Sequence, residues 1–283
     1  SSRRVLFRSK ALHFMATYAG ETLKKNAFYG DPALLRDAGA GHIKSLPQRL
    51  IKHFPGISPM VVSIALCMTA RAESVVFSGA EGSAKGGYGY VGTVIPMAGE
   101  ELGRGWYYKT VASMVHYHFE SSDRGATEEV SGRSLGIEGG VGHAWQFGPR
   151  RLDLSATLGY RRIRLSPFEP RDEKTGDIIT FTPQVMAYTP LAGAWDADLI
   201  ANYSFGLGSS FVRLRGGFKP AEGWRAGVET KRLRGETYET HTGGVFLSVP
   251  LNKRVTLDMT AGREKPRDDP SVSYGGVAFV VVF

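Results

Sequence analysis

The sequence has almost no cysteine. Cys67 is the only one among 283 residues, and it lies in a segment that we expect to be removed. A chain without cysteine has no disulfide framework and no thiolate metal site. The sequence therefore excludes both kinds of stabilisation for the remaining domain.

Long apolar runs are also scarce. The run Met60–Met68 is far shorter than the roughly 20 residues that a membrane-spanning helix needs. Basic residues precede this run, and Ala70-Arg71-Ala72 follows it. A basic region, a short apolar region and an A-x-A site are typical of a secretory signal, so we predict a signal peptide over 44–72 with cleavage after Ala72.

An excess of charge is missing from the rest of the chain. Residues 1–72 hold 11 of the 35 basic and 3 of the 27 acidic residues, which leaves 24 of each after Ala72. A nucleic-acid partner is therefore not expected, although the whole-chain pI of about 9.5 would suggest one. Residues 1–43 do not fit a leader of ordinary length, so we interpret them as a doubtful extension or scar and exclude them from the fold prediction.

Regular alternation of apolar and small or polar residues is the main positive signal. The chain ends on the apolar set Val277, Phe279, Val281 and Phe283, which shares one strand face, while Tyr274 and its alternate neighbours share the other. A strand of this kind is typical of the end of an outer-membrane β-barrel, so we predict that these four residues form a barrel-assembly signal. The last strand of a soluble sandwich would show the same alternation.

The connections between strands favour the barrel. From residue 73 onwards we count twelve strand-like segments, several of them about 9–11 residues long, the length of a tilted membrane strand. The connections alternate between long loops and mostly short turns with or beside a proline, which is the asymmetry of an outer-membrane barrel. We therefore predict that 73–283 form an all-β, antiparallel transmembrane barrel of about 12 strands in the outer membrane of a Gram-negative bacterium.

Aromatic residues favour the same arrangement. They fall into one predicted girdle at the tight-turn end and a second at the loop end. The first consists of Trp145, Phe147, Trp195 and Trp224, and the second of Tyr117, Phe119, Tyr160 and Phe205.

The sequence offers little evidence for catalysis. Its histidines and strand serines lack a recognisable nucleophile motif, so we predict no enzymatic activity and no catalytic residues. His116 and His118 share a strand face, but the spacing supplies no third ligand, so we predict no metal and no cofactor.

Two sets of residues are candidates for function. Charged residues at polar-face positions are predicted to line the lumen, either as an ion-paired plug or as a narrow pore. These are Glu138, Asp153, Arg161, Asp196, Asp198, Arg213, Arg215, Arg225, Glu229 and Lys231. Candidates for stacking on sugars, which are equally suited to a girdle, are Tyr88, Tyr90, Trp106 and Tyr108.

Several short motifs, in this order, resemble the bacterial cellulose biosynthesis protein BcsS. They are Gly87–Pro96, Leu102–Trp106, Leu158–Tyr160, Leu165–Pro167 and Ala201–Ser204. The resemblance implies an outer-membrane or secreted accessory of cellulose production, with no established enzymatic activity and no catalytic residues to carry over.

These observations together predict a non-catalytic barrel that acts in cellulose biosynthesis or export. Its expected partners are outer-membrane lipid and cellulose or the export machinery. A porin for small solutes or oligosaccharides is one alternative, and a lipid-modifying outer-membrane enzyme is another.

Overall fold

The computed structural model describes residues 74–123, 126–166, 175–236, 238–267 and 270–283. The predicted extension 1–43 and the predicted signal peptide 44–72 lie outside the described residues.

The described residues form twelve β-strands that follow one another around a ring. In chain order they are β1 (Val75–Ser83), β2 (Gly86–Pro96), β3 (Gly105–Asp123), β4 (Ala126–Phe147), β5 (Arg150–Ser166), β6 (Gly176–Pro190), β7 (Trp195–Ser204), β8 (Ser209–Phe218), β9 (Arg225–Arg234), β10 (Glu239–Pro250), β11 (Val255–Pro266) and β12 (Val272–Val282).

The first and last strands close the ring. β1 pairs antiparallel with β12, from Val75 opposite Val282 to Ser83 opposite Tyr274, and every other neighbouring pair is also antiparallel. Closure gives each strand a partner on both sides, so no open edge remains. The prediction of an all-β, twelve-stranded antiparallel barrel is confirmed.

The barrel wall is uneven in height. Strands β3 to β6 are 15 to 22 residues long, whereas the other eight have 9 to 12 residues.

At the tight-turn end of the barrel, β4 and β5 are joined through Gly148 and Pro149 alone. Gly148 has a φ of 58°, a left-handed conformation that glycine adopts without strain in such a tight turn.

Apolar side chains cover the outer surface. Leu135, Ile137, Leu158, Ile179 and Val228 are each more than half exposed, while their alternate neighbours face the interior. A soluble protein rarely exposes so many large apolar groups together, whereas an apolar outer band is the rule for a barrel in lipid. Among the described residues, no helix is long and apolar enough to cross a membrane.

The aromatic girdles are only partly as expected. Trp145, Phe147, Trp195, Trp224, Tyr160 and Phe205 are exposed on the outer surface. Tyr117 and Phe119 are buried inside the barrel, so the prediction that they belong to the outer girdle is wrong. The parity of β3 explains this, because its odd-numbered side chains face inwards and its even-numbered ones, such as Trp106, face outwards.

Candidate functional site

The charged residues of the predicted lumen set lie at inward positions of five strands, β4, β5, β7, β8 and β9. Nine of the ten are buried, and Glu138 is half-buried. Further buried or lumen-contacting charges that the sequence analysis missed are Glu81, Lys109, Arg151 and Asp258. The interior therefore contains both signs of charge in close contact.

Glu229 of β9 is the centre of the largest ion-pair network. Its Oε2 accepts a hydrogen bond from Arg215 Nε at 2.8 Å, and its Oε1 lies 2.8 Å from Lys231 Nζ and accepts a hydrogen bond from the Tyr274 hydroxyl at 2.7 Å. Arg215 also donates to Asp258 on β11 at 3.1 Å. These contacts join side chains from β8, β9, β11 and β12, so they connect strands that are not neighbours in the sheet.

A second cluster surrounds Asp196 at the tight-turn end. Arg225 Nε donates to Asp196 Oδ1 at 2.6 Å, Arg225 also pairs with Asp198, and Lys219 Nζ lies 3.3 Å from Asp196 Oδ2. The Phe246 ring links this cluster to the first, because the guanidinium groups of Arg215 and Arg225 lie 4.4 and 4.7 Å from its centroid. Such cation–π contacts are strongest where water is excluded.

On the part of the barrel wall formed by β3 to β6, buried charged side chains have neutral hydrogen-bond partners as well as ion-pair partners. Asp153 accepts hydrogen bonds from the Tyr107 hydroxyl at 2.5 Å and from Arg151 at 3.2 Å. Lys109 Nζ donates to the side-chain carbonyl of Gln184 at 3.0 Å. Arg161 donates to the hydroxyls of two serines, Ser134 and Ser113, at 2.9 and 2.8 Å. Buried cations on this part of the wall thus donate hydrogen bonds to acceptors on several strands.

An apolar layer fills the interior towards the loop side. It consists of Val115, Tyr117, Val130, Ile163, Leu165, Phe211 and Leu233, all buried in one hydrophobic cluster. Gly132 provides room for this layer, because a Cβ at that position would overlap the Tyr117 ring. The sequence analysis predicted charged residues in the lumen and did not predict this layer.

The burial of the inward side chains describes a filled interior. Arg213 and Lys231 are each 1% exposed, and Asp153 and Asp196 are 0% exposed. Side chains that line a water-filled channel would remain accessible to water. The arrangement corresponds to a plug of ion pairs and apolar side chains.

The four sugar-stacking candidates do not form one site. Tyr88 and Tyr90 are buried inside β2, where their rings stack on each other with centroids 5.1 Å apart. Trp106 and Tyr108 are about half exposed on the outer surface of β3. A single sugar could not contact both pairs, since the barrel wall lies between them.

The strand predicted to carry the assembly signal closes the barrel. Val277, Phe279 and Phe283 are exposed on the outer surface, and Val281 is half-buried. β12 pairs with β1 on one side and with β11 on the other.

A serine and a histidine meet on the outer surface near the loops. Ser131 Oγ lies 3.3 Å from His116 Nε2, and the His116 ring packs edge-on against His118 with centroids 4.5 Å apart. The carboxylate of Glu129 contacts His118 at 3.5 Å, not His116. Residue spacing could not reveal this contact, because it joins diagonal positions on β3 and β4. In the part of the chain that the structure describes, no group of three or more His, Cys, Asp or Glu side chains could hold a metal ion.

Comparison with known proteins identifies the family. The family model for cellulose biosynthesis protein BcsS matches residues 75–283. The chain belongs to this family. The match covers all twelve strands of the barrel and confirms the resemblance seen in the sequence. No curated protein sequence matches the chain.

The chain is also similar to several solved structures, and three of them share little sequence identity with it. The outer membrane channel COG4313 from Pseudomonas putida F1 is 14% identical, with 75% of this chain and 94% of that chain covered and a TM-score of 0.49. The KdgM porin in complex with disordered oligogalacturonate is 12% identical, with 74% and 99% covered and a TM-score of 0.46. LpxR from Salmonella typhimurium is 10% identical, with 74% and 100% covered and a TM-score of 0.45.

Proposed function

We propose that this BcsS-family protein is a closed outer-membrane scaffold of Gram-negative bacteria, which serves cellulose biosynthesis or export through contacts and without catalysis. Its filled interior is the observation that supports this role best. The wide apolar outer surface supports placement in lipid. The signal peptide over 44–72 and the assembly signal at Val277, Phe279, Val281 and Phe283 belong to the same proposal.

A glucan-conducting pore or general porin fits the interior less well. Buried charges of both signs form ion pairs in the lumen, and an apolar layer lies towards the loop side. A neutral glucan chain would have to displace ion pairs such as Arg215–Glu229, which would leave buried charges without partners. A scaffold requires no such rearrangement.

Conductance measurements test this distinction. We expect the full chain, purified from the membranes of a Gram-negative host, to give no steady current in a planar bilayer although it is folded and heat-modifiable on gels. Steady conductance that cello-oligosaccharides block would contradict the scaffold and support a pore.

Gene deletion tests the cellular role. We expect the loss of the protein to lower the amount of cellulose at the cell surface while glucan synthesis in isolated inner membranes continues. Restoration of surface cellulose by the re-expressed full chain, which we expect to give no steady current, would support a role through contacts. Unchanged surface cellulose in the deletion strain would contradict the proposed role.

A lipid-modifying enzyme is the second candidate function. The contact between Ser131 Oγ and His116 Nε2 favours it, since a serine nucleophile needs a base within hydrogen-bond reach. The contact lies beside an open groove of about 700 Å³ at the rim, lined in part by His116, His118 and Gly87. Among the described side chains, the nearby carboxylate of Glu129 contacts His118 and not His116, so none of them orients His116 as a catalytic base.

A further inference from the structure

Two rows of basic side chains lie on the outer surface near the loop-side end of the barrel. In the first row, the register places His116 of β3 opposite Arg133 of β4, and Arg133 opposite Arg164 of β5. The parity of each strand turns these side chains outwards, and both arginines are exposed.

The second row has the same composition on another part of the wall. Arg232 of β9 lies opposite His241 of β10, which lies opposite Lys265 of β11. All three side chains are exposed on the outer surface. The central strands of the two rows, β4 and β10, are six strands apart in the ring of twelve, so the rows lie on opposite sides of the barrel.

Like charges at directly opposite positions are unfavourable. Cβ atoms of such pairs are only about 4.5–5.5 Å apart, and like charges there destabilise the sheet. Among the described residues, no carboxylate lies within ion-pair distance of Arg133 or Arg164. The register of the sheet therefore places two arginines at directly opposite positions, with no carboxylate of the described residues paired to either.

The acidic groups beside the two rows are already bound by arginines. Asp177 accepts two hydrogen bonds from Arg162, which is outside the first row, at 2.6 and 2.9 Å. In the second row, Glu239 accepts a hydrogen bond from Arg232 Nε at 2.7 Å and lies 3.2 Å from His241 Nε2. Glu239 therefore offsets one of the two permanent cations of the second row, and among the described residues the excess of positive charge is larger in the first row.

The rows lie directly beyond the apolar outer surface. Arg133 is two residues from Leu135, and Arg164 is four residues from Tyr160, both of which are exposed. Those separations correspond to about 7–13 Å along a strand. A ligand of these rows must therefore present its negative charge where the apolar band ends, as a lipid headgroup does above its acyl chains.

We infer that the two rows bind the phosphate groups of outer-leaflet lipid headgroups. A guanidinium group donates two parallel hydrogen bonds to a phosphate, and one phosphate between Arg133 and Arg164 relieves the repulsion between them. This inference rests on the proposed placement of the barrel in a membrane. The structure itself shows the fork-like geometry in the two hydrogen bonds from Arg162 to Asp177.

Lipid binding to the purified full chain in detergent tests the inference. The probes are diphosphorylated lipid A, the same lipid with both phosphates removed, and phosphatidylglycerol, with binding counted by native mass spectrometry. We expect the variant R133Q/R164Q to bind one of its two molecules of diphosphorylated lipid A about tenfold more weakly, the loss that follows from one charge-assisted contact, while the second row keeps its lipid. The phosphate-free lipid should bind the wild type and this variant equally.

The matched control removes the same charge from the other end of the barrel. Arg150 and Arg254 are exposed beside tight turns, so R150Q/R254Q should bind the phosphorylated lipid as the wild type does. An equal loss in both variants, or no loss in either, would overturn the inference. A preference for soluble polygalacturonate over every lipid would also overturn it, in favour of an acidic polysaccharide.

Thermal stability gives an independent readout. Without phosphorylated lipid, R133Q/R164Q should melt at a higher temperature than the wild type, because the repulsion is gone, and added lipid A should stabilise the wild type more than this variant, which keeps only the second row. A lower Tm of the variant, insensitive to lipid, would contradict the inference. These measurements use purified protein, so a failure of the cellulose-related role in cells would leave their outcome unchanged.

Discussion

Lys231 and Glu81 meet inside the barrel although 150 residues separate them in the chain. Lys231 Nζ of β9 lies 2.9 Å from Glu81 Oε2 of β1, and both side chains are buried. β1 closes the ring against β12, and the ion pair connects β1 to β9 through the interior of the barrel. Tyr274 of β12 makes a second such contact with Glu229.

Removal of Lys231 should destabilise the barrel strongly. Lys231→Met leaves Glu81 buried without its cation, and breaking a buried pair by removing one partner typically costs about 3–5 kcal/mol. The double variant K231M/E81L should recover much of this loss. Unfolding in urea, with the protein in micelles and followed by tryptophan fluorescence, measures the difference.

The exposed pair of Arg162 and Asp177 is the control for that experiment. It is close and bidentate but open to solvent, so R162Q should change the unfolding midpoint little. Equal effects of K231M and R162Q would show that the interior ion pair has no special role in stability.

The apolar layer should contribute a comparable amount. Phe211→Ala opens a cavity in a cluster that is almost fully buried, and such truncations cost about 3–5 kcal/mol. Phe147→Ala removes the same ring from an exposed position and should cost much less in micelles. We expect no current from F211A in a planar bilayer, because the ion pairs still fill the interior; a steady current would place the whole barrier in the apolar layer.

Glycine substitutions test how tightly that layer is packed. A Cβ at Gly132 would overlap the rigid Tyr117 ring, so Gly132→Ala should destabilise the protein by about 1–3 kcal/mol, as overpacking does. Gly243 has no heavy atom within 4 Å of the corresponding position, so Gly243→Ala should be neutral or slightly stabilising. Equal unfolding midpoints for the two variants would contradict a close-packed interior.

The architecture could be predicted from sequence because its signal repeats. Twelve alternating segments and two kinds of connection are consistent with one another, and closure of the ring follows from the need to pair the edges. The ten predicted lumen charges could be assigned to the inward face because the outward residues next to them in the same strand are mostly apolar, as exposed Trp195 is beside Asp196.

The interior of β3 could not be predicted in the same way. Its inward positions read Tyr107, Lys109, Val111, Ser113 and Val115, and its outward ones include Tyr108 and Met114, so neither face is uniformly polar. Alternation then gives no sign of which face is the lumen. Alternation in β3 therefore cannot distinguish inward Tyr117 and Phe119 from aromatic residues of the outer girdle.

Ser131 and His116 allow a direct test of the non-catalytic proposal. Their side chains are 3.3 Å apart, on an outer surface that lipid esters could reach. The hydroxyl of a serine hydrolase attacks efficiently when its base is oriented by a third group, and the carboxylate of Glu129 contacts His118 instead of His116. We therefore expect the purified full chain to release fatty acid from phospholipid or lipid A no faster than S131A does. H143A, which removes a histidine of the outer surface near the tight-turn end, outside both basic rows, is the control for surface changes. Release that disappears in both S131A and H116A but persists in H143A would contradict the scaffold proposal and establish the lipid-modifying enzyme in its place.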